Sequence, residues 1–223
     1  NGGLPRLGCA VLLAAPPGAG KSTLLYTVCL ALAERKVKSI YVSAEQTLKA
    51  LATQFSWLGV PSQATAKYMM LAHATDLDEV VDKVEDSRAQ FAVVDSAHTI
   101  EGVVDDEGYS KASGHAGAVA QVGVRLHKLA HEREISVALV GHVSSDGRVK
   151  GGTGVQHVLD ATLVLSAGED ETDERRVLTT AGKCRIGARG KRALFLMSRN
   201  GGKFKDEGPL PDVDPDEDED EDE

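Results

Sequence analysis

Nine consecutive residues, numbered 15–23, combine glycine, lysine and hydroxyl side chains in a pattern that binds phosphate groups. They read Ala-Pro-Pro-Gly-Ala-Gly-Lys-Ser-Thr. An apolar run, residues 9–14, leads into this segment, and an apolar-periodic stretch that starts with Leu24 and Leu25 follows it. We therefore predict a strand-to-helix turn, which is the context that a phosphate-binding loop requires. Glycines let such a loop close around phosphates with its backbone N–H groups pointing inward.

Each residue type in this loop has a role toward a nucleoside triphosphate such as ATP. A helix beginning near Lys21 directs the positive end of its dipole at the phosphates, and the Lys21 ammonium can reach the β- and γ-phosphates. The Ser22 hydroxyl can ligate Mg²⁺. The motif has a glycine where this chain has Ala15, and a chance Gly-Lys-Ser turn is the alternative interpretation. The predicted ATP-binding residues are Pro17, Gly18, Ala19, Gly20, Lys21, Ser22 and Thr23.

A second segment supplies a carboxylate at the end of an apolar run. Residues 91–95 read Phe-Ala-Val-Val-Asp, which predicts a buried strand that ends at Asp95. In P-loop proteins a strand of this kind places its aspartate beside the loop to hold Mg²⁺, usually through water. We therefore predict Ser22 and Asp95 as the metal ligands. The alternative is an ordinary aspartate that caps a turn at the end of a strand.

Composition indicates one sizeable domain with an unevenly distributed charge. The chain has 223 residues and a formal net charge of −9. Residues 206–223 contain 12 acidic side chains and no lysine or arginine, so residues 1–205 hold 25 basic against 22 acidic side chains. We predict a core over residues 1–205 and a disordered acidic tail over residues 206–223, because the tail has too little apolar content to pack.

The cysteines and the hydropathy pattern favour a protein of a reducing compartment. Cys9, Cys29 and Cys184 are far apart and form no C-x-x-C pair, which argues against a zinc site or a disulfide framework. The sequence shows no secretory signal and no apolar run long enough to cross a membrane. We expect a soluble, cytoplasmic protein without a membrane partner.

Strands and helices alternate along most of the chain. This alternation predicts an α/β fold with a mostly parallel central sheet flanked by helices, and antiparallel strands at the C-terminal end. A helix is expected to begin at a Thr75 cap, and residues 143–154 are expected to form a loop. The predicted strands are 9–14, 40–43, 68–71, 91–95, 135–140, 161–166, 177–181 and 193–197, with a turn at 200–201 before residues 203–205.

Basic residues are concentrated near the end of the predicted core. Residues 175–205 contain ten lysines or arginines and no acidic residue, and Arg148 and Lys150 lie in the glycine-rich loop before them. These cations are the candidate contacts with single-stranded DNA, through phosphates rather than base edges. An acidic loop over residues 101–107 and an aromatic content of 4% argue against such a surface. The alternative is a solvated face of the sheet.

Taken together, these landmarks resemble the RecA-like ATPase core, and specifically that of the bacterial RadA (Sms) family, over nearly all of residues 2–205. Residues 41–46, Tyr-Val-Ser-Ala-Glu-Gln, are similar to the family's Tyr-Val-Ser-Gly-Glu-Glu, and residues 94–96 resemble its Ile-Asp-Ser. Residues 140–147 resemble its Gly-His-Val-Thr-Lys-Glu-Gly segment, and residues 156–160 its Leu-Glu-His-Met-Val-Asp. The resemblance implies a RecA-like P-loop fold.

The resemblance also implies roles for residues beyond the phosphate-binding loop. Glu45 would be the general base that orients the attacking water, and His142 would sense the γ-phosphate and signal to a DNA-facing loop. Lys183 and Arg185 lie in Lys-Cys-Arg-Ile-Gly, similar to the family's Lys-Asn-Arg-Phe-Gly, whose cations act on a neighbouring subunit's nucleotide or on DNA. Without the family pattern, Glu45 could equally cap the helix starting at Thr47, and His142 could be an ordinary strand-end histidine. With Lys21, these four residues complete the expected catalytic set.

The function implied is a Mg²⁺-dependent, DNA-stimulated ATPase acting in recombination, repair or replication. We expect a homo-oligomer, either a ring or a filament, with the active site at the subunit interface. Two alternatives remain: a ring ATPase of the replicative-helicase type, and a KaiC-like nucleotide-dependent switch with no role on DNA. The family's four-cysteine zinc module and Lon-like domain are not found in these 223 residues, so the chain is either a stand-alone core or part of a longer protein.

Overall fold

The computed structural model describes residues 8–104, 111–143, 149–150, 152–166, 173–198 and 204–211. Within them the chain forms nine strands and five α-helices. The strands are β1 (Ala10–Ala15), β2 (Ser39–Ser43), β3 (Met69–His73), β4 (Phe91–Asp95), β5 (Ser136–His142), β6 (Ala161–Leu165), β7 (Arg175–Cys184), β8 (Arg192–Met197) and β9 (Phe204–Leu210). The helices are α1 (Lys21–Glu34), α2 (Leu48–Ser56), α3 (Leu77–Ser87), α4 (Ala116–Arg133) and α5 (Gly152–Val158).

All nine strands belong to one sheet, in the order β3-β2-β4-β5-β1-β6-β7-β8-β9. The pairs from β3 through β6 are parallel, whereas β6-β7, β7-β8 and β8-β9 are antiparallel. The alternation of strands and helices produces the parallel part. Each crossover helix returns the chain to the end of the sheet where the previous strand began, so the next strand runs in the same direction. This arrangement confirms the predicted α/β fold with antiparallel C-terminal strands.

Helices cover both faces of the parallel part of the sheet. Alternate residues of β1 belong to separate apolar clusters: Leu12 packs with α3, α4 and α5, and Leu13 packs with α1 and α2. Every residue of β1, β2 and β4 is buried, which explains why these strands are apolar runs rather than alternating patterns.

The strand register brings the predicted site residues together at the carboxyl ends of the parallel strands. Ala15, the last residue of β1, pairs with His142, the last residue of β5. Ser43 at the end of β2 pairs with Asp95 at the end of β4. Because parallel strands align their carboxyl ends, the segments that leave these strands meet in one crevice, where α/β sheets bind ligands.

Three features differ from the sequence-based predictions. Asp76, not Thr75, caps α3, because its carboxylate accepts hydrogen bonds from the N–H groups of Asp78 and Glu79. The predicted loop 143–154 gives way to α5 at Gly152. The predicted tail begins too early, because residues 206–210 form most of β9 and pair with β8. The acidic residues Asp206 and Glu207, in the middle of this strand, concealed its C-terminal part.

Several predicted features lie outside the described residues. They include Arg148, the turn at 200–201 and residues 212–223, which hold most of the acidic tail. None of the three cysteines, which all lie within the described residues, forms a disulfide bond. Among the described residues, no helix has both the length and the apolar character needed to span a bilayer.

An aromatic group beneath the sheet positions one of the site residues. Phe55 of α2 is 1% exposed, and its ring stacks on Tyr26 with centroids 3.7 Å apart. The same ring meets Tyr41 of β2 edge-on at 5.1 Å. Edge-on ring pairs such as Tyr41–Phe55 stabilise beyond their burial. Phe55 therefore fixes the side from which the Tyr41 hydroxyl approaches Asp95.

Replacing Phe55 with alanine should destabilise the protein by about 3–5 kcal/mol, because it removes a buried ring from a packed group. Trp57, only two residues away, is 77% exposed. Trp57→Ala is therefore the matched control, and it should change the free energy of unfolding by no more than about 0.5 kcal/mol. Urea unfolding followed by circular dichroism measures both values. Equal losses from the two variants would contradict this account of the core.

Candidate nucleotide-binding site

The loop between β1 and α1 has the backbone conformation of a phosphate cradle. Gly18 and Gly20 adopt positive φ angles of 77° and 94°, a region that side-chain-bearing residues rarely enter. Gly20 is also the N-cap of α1, and no side chain caps that end. The N–H groups of the first helical turn are therefore left for an anion, and the helix dipole favours one there. Pro17, Ala19 and Thr23 lie in this loop and in the first turn.

Glycine is required at position 20 for a second reason. A Cβ atom there would collide with the Met197 sulfur and lie 3.1 Å from the Phe204 ring. These side chains belong to β8 and β9, so the antiparallel strands pack directly against the phosphate-binding loop. The loop therefore rests on the C-terminal part of the sheet, which sequence reasoning assigned to another surface.

Arg176 of β7 holds the loop from the same side. Its side chain is buried, and its Nε donates a 3.2 Å hydrogen bond to the carbonyl oxygen of Ala19. Its Nη1 donates to the carbonyls of Asp173 and Arg175 at 2.7 Å each. Sequence reasoning counted Arg176 among the basic residues of a DNA-facing segment. In the sequence, Arg176 is only the second of two adjacent arginines before an apolar run. That pattern does not predict a contact with the phosphate-binding loop.

The Lys21 side chain lies back along the loop. Its Nζ donates to the carbonyl oxygens of Ala15 and Pro16, at 3.0 and 3.2 Å, and the residue is 7% exposed. Burial lowers the pKa of Lys21, while the nearby carboxylates of Asp95 and Glu45 act in the opposite direction. A triphosphate in the loop would offer this ammonium a charged partner, which binds it more strongly than neutral carbonyls do.

Asp95 and Ser22 lie together, as their predicted metal role requires. The Ser22 hydroxyl donates a 2.7 Å hydrogen bond to Asp95 Oδ2, and the Tyr41 hydroxyl donates to the same oxygen. Burial raises the pKa of Asp95, and both hydroxyl donors oppose that rise. The peptide bond between Asp95 and Ser96 is cis. Hydroxyl and carboxylate oxygens are donors that Mg²⁺ accepts, so Ser22 and Asp95 fit a Mg²⁺ site.

Glu45 lies at the same end of the sheet as Asp95 and has two polar partners, Ser96 and His142. The Ser96 hydroxyl donates to Glu45 Oε1, and His142 Nε2 lies 3.6 Å from that oxygen. The interaction with His142 is the largest cause that lowers the pKa of Glu45 to about 2, and the Ser96 hydrogen bond contributes. Thr47, not Glu45, caps α2, so helix capping does not account for the position of Glu45. The carboxylate is 38% exposed and faces the crevice.

Two further residues adjoin His142: Lys150, in the loop to which His142 was expected to signal, and His98, which the sequence did not connect with it. The His98 ring lies 5.1 Å from the His142 ring, centroid to centroid, in an edge-on arrangement. The Lys150 backbone N–H donates to the His142 carbonyl at 2.7 Å, and Val143 bridges to Val149. The ends of the segment after β5 therefore close on His142 itself.

The two cations of the predicted trans-acting motif lie elsewhere. Arg185 donates to the carbonyls of His157, Val158 and Leu159, at 2.8–2.9 Å, and so caps the end of α5. Its backbone N–H binds the carbonyl of Asp160, which stands beside Ala10 at the opposite end of β1 from the loop. At about 3.3 Å per strand residue, roughly 16 Å separates that point from Ala15. Lys183 belongs to β7, and its side chain lies outside the described part of the chain.

Four of the ten cations in the basic segment 175–205 are engaged within the chain. Arg175 pairs with Asp173 at 2.9 Å, and Lys205 pairs with Glu207. Arg176 and Arg185 bind backbone carbonyls, as described above. Arg189 and Lys191 are exposed, and two more cations, Arg199 and Lys203, lie outside the described residues. Among the described cations, the sheet therefore uses several internally rather than presenting one basic face.

Comparisons with known proteins agree with this geometry. Residues 2–148 match the model of a family described as an AAA domain. The DNA repair protein RadA of Mycobacterium tuberculosis is 31% identical over 215 residues, covering 92% of this chain and 42% of that protein. RadA of Haemophilus influenzae is 30% identical over 194 residues, covering 87% of this chain and 40% of that protein. This chain therefore spans about 40% of the length of these relatives.

Solved structures show the same fold at lower sequence identity. A KaiC-like protein from Pyrococcus horikoshii superposes with a TM-score of 0.69 at 18% identity and covers 92% of both chains. A second solved structure, described as an ATPase domain, superposes with a TM-score of 0.72 at 14% identity and covers 89% of this chain and 84% of that one. The matched family model covers more than half of the chain, so the chain belongs to the AAA domain family, and its fold is the RecA-like P-loop fold of these solved structures.

Proposed function

We propose that this chain hydrolyses ATP with Mg²⁺ and that DNA regulates the reaction, as in a RadA-like motor core. One observation carries the proposal: the loop residues Lys21 and Ser22, the carboxylates Asp95 and Glu45, and His142 all converge at one edge of the sheet. Phosphoryl transfer to water needs positioning and charge neutralisation more than covalent chemistry. The group at this edge offers both.

Each residue contributes a separate part of the reaction. The N-terminus of α1 and Lys21 bind the phosphates and neutralise charge that develops on them. Bound Mg²⁺, held by Ser22 and Asp95, would supply further positive charge beside the β- and γ-phosphates. Glu45 accepts a hydrogen bond from the attacking water. Because its pKa is about 2, Glu45 is a weak base, and its main effect is to orient that water.

His142 connects this site with the segment that follows β5. The His142 ring contacts Glu45, and the His142 carbonyl accepts a hydrogen bond from the Lys150 N–H. If Glu45 shifts when a γ-phosphate binds, His142 alone therefore transmits that shift to Lys150. Lys150 is exposed, and Arg148 belongs to the same segment outside the described residues. We assign the DNA contact to this segment, because several cations of residues 175–205 are engaged internally.

An oligomer with the nucleotide at the subunit interface remains part of the proposal. The Arg185 guanidinium lies at the opposite end of the sheet from the chain's own loop, which favours action of Arg185 on a neighbouring subunit over action in cis. Arg185 would have to release its contacts with α5 to do so. Mass measurement with and without nucleotide tests the assembly.

A KaiC-like switch without a DNA role is the second candidate. The likeness to the Pyrococcus horikoshii protein and the internal pairing of the basic segment favour it. Steady-state ATP turnover with and without single-stranded DNA separates the two candidates. Turnover that does not respond to DNA supports the switch and contradicts the motor.

Glu45→Gln should lower kcat for ATP by about 10²–10⁴-fold and leave ATP affinity nearly unchanged, because it keeps the shape but removes the charge that orients water. Lys21→Ala should instead weaken ATP binding itself. Equilibrium binding of a fluorescent ATP analogue, combined with phosphate release, distinguishes the two effects. A Glu45→Gln variant with wild-type kcat would remove Glu45 from the mechanism.

His142→Ala should raise the pKa of Glu45 from about 2 toward its ordinary value of 4.5, because the largest favourable contact of the carboxylate is lost. Carbon-13 NMR of the labelled glutamate carboxyl, titrated with acid, measures the midpoint. His73→Ala is the control, since His73 bonds the Ser43 carbonyl and does not contact Glu45. An unchanged Glu45 midpoint in His142→Ala would show that His142 does not stabilise the ionised carboxylate.

Lys150→Glu should weaken binding of single-stranded DNA and reduce the slope of log affinity against log salt by about 0.7, the value for one phosphate contact. Lys38→Glu makes the same charge change immediately before β2, at the end of the parallel strands opposite the nucleotide site. It should leave the affinity and the salt slope close to wild type. Fluorescence anisotropy at several salt concentrations measures affinity and slope. Equal effects from the two variants would indicate a general charge effect rather than a contact at Lys150.

A further inference from the structure

Three potential metal ligands converge at the edge of the sheet opposite the nucleotide site. His127 and His131 lie four residues apart on α4, so their side chains share one helix face. Asp160 follows α5 and immediately precedes β6. We refer to these three residues as the α4 cluster. The possible ligand atoms of these three side chains, one from each residue, all lie within 4.8 Å of one another.

The distances within the α4 cluster are near those between ligands of a tetrahedral zinc ion. The two histidine Nε2 atoms are 3.0 Å apart, His127 Nε2 is 3.4 Å from Asp160 Oδ1, and His131 Nε2 is 3.6 Å from Asp160 Oδ2. Ligands bound to Zn²⁺ at about 2.0–2.1 Å in a tetrahedron lie about 3.3 Å from one another. The two histidines face different oxygens of Asp160, so a small rotation of the carboxylate or of the rings would bring one oxygen and both Nε2 atoms around a single ion.

Asp160 is already held in the orientation of a ligand. Its side chain is 8% exposed, its Oδ2 accepts a 2.9 Å hydrogen bond from the Ala10 N–H, and its own N–H donates to the Ala10 carbonyl. Supporting hydrogen bonds of this kind fix metal ligands and raise affinity. His127 and His131 are 28% and 53% exposed, which leaves access for an ion from solvent.

The contact between the two histidines also favours a cation. With the two Nε2 atoms 3.0 Å apart, one ring can donate its Nε2–H to the lone pair of the other. If both neutral rings are instead protonated at Nδ1, both Nε2 lone pairs point into the same space. A divalent ion satisfies both lone pairs together with the carboxylate. Two imidazoles and one carboxylate suit Zn²⁺ better than Mg²⁺ or Ca²⁺, which prefer oxygen ligands.

Arg185 is the nearest competing charge, with Nη1 3.8 Å from Asp160 Oδ1. Its guanidinium is already satisfied by the carbonyls at the end of α5, so it does not depend on Asp160 for its position. We propose that His127, His131 and Asp160 bind one Zn²⁺ per chain, with water in the fourth position. The ion would fasten the C-terminal half of α4 to the start of β1 and β6.

Zinc binding by metal-free protein tests the proposal directly. After dialysis against ZnCl₂ with excess MgCl₂, metal analysis should find about one zinc per wild-type chain, and zinc should raise Tm because it binds the folded state. The double variant His127→Gln, His131→Gln should retain almost no zinc and show no rise in Tm. His157→Gln, which removes an exposed histidine outside the α4 cluster, should behave as wild type.

A further variant separates this site from the nucleotide site. Asp95→Asn alters the proposed Mg²⁺ position and should leave zinc stoichiometry unchanged. Circular dichroism confirms that each variant is folded. Zinc-free wild-type protein, or equal zinc in the wild type and the double histidine variant, would overturn the proposal; loss of zinc in Asp95→Asn would also overturn it, by assigning the ion to the nucleotide site.

Discussion

A buried carboxylate imposes the main constraint on this structure. Asp95 ends a strand in the middle of the sheet, where an unpaired charge would be costly, and two hydroxyl groups satisfy it. One of them, Ser22, belongs to the first turn of α1, and the other, Tyr41, belongs to β2. Asp95 therefore links the phosphate-binding loop to the central strands. Ser22 and Asp95 are also the proposed Mg²⁺ ligands, so the hydrogen bond that organises the site holds these two side chains together.

The antiparallel strands contribute to the loop as well as to the sheet. Arg176 binds the Ala19 carbonyl, and Met197 and Phe204 fill the space above Gly20. The loop is thus held between the parallel strands on one side and the C-terminal strands on the other. Through these contacts, a movement of β7, β8 or β9 would reach the phosphate-binding loop.

Much of the fold and of the site could be predicted because local patterns express them directly. The phosphate-binding loop, Asp95 and the alternating strands and helices each depend on a short segment, and parallel pairing then aligns their ends. The role of Arg176, the strand that begins at Phe204 and the α4 cluster depend on contacts between distant segments. Asp160 is 29 residues from His131 in the sequence, and an acidic run beginning at Asp206 hid the end of β9. No local pattern marks such features.

If Lys21, Ser22, Asp95 and Glu45 form one site for Mg²⁺ and ATP, a crystal structure with a non-hydrolysable ATP analogue and MgCl₂ should show all four around the ligand. We expect the triphosphate within the 15–23 loop, the magnesium ion beside Ser22 and Asp95, and a water between Glu45 and the γ-phosphate. An analogue bound elsewhere, or Asp95 turned away from the metal, would contradict this assignment.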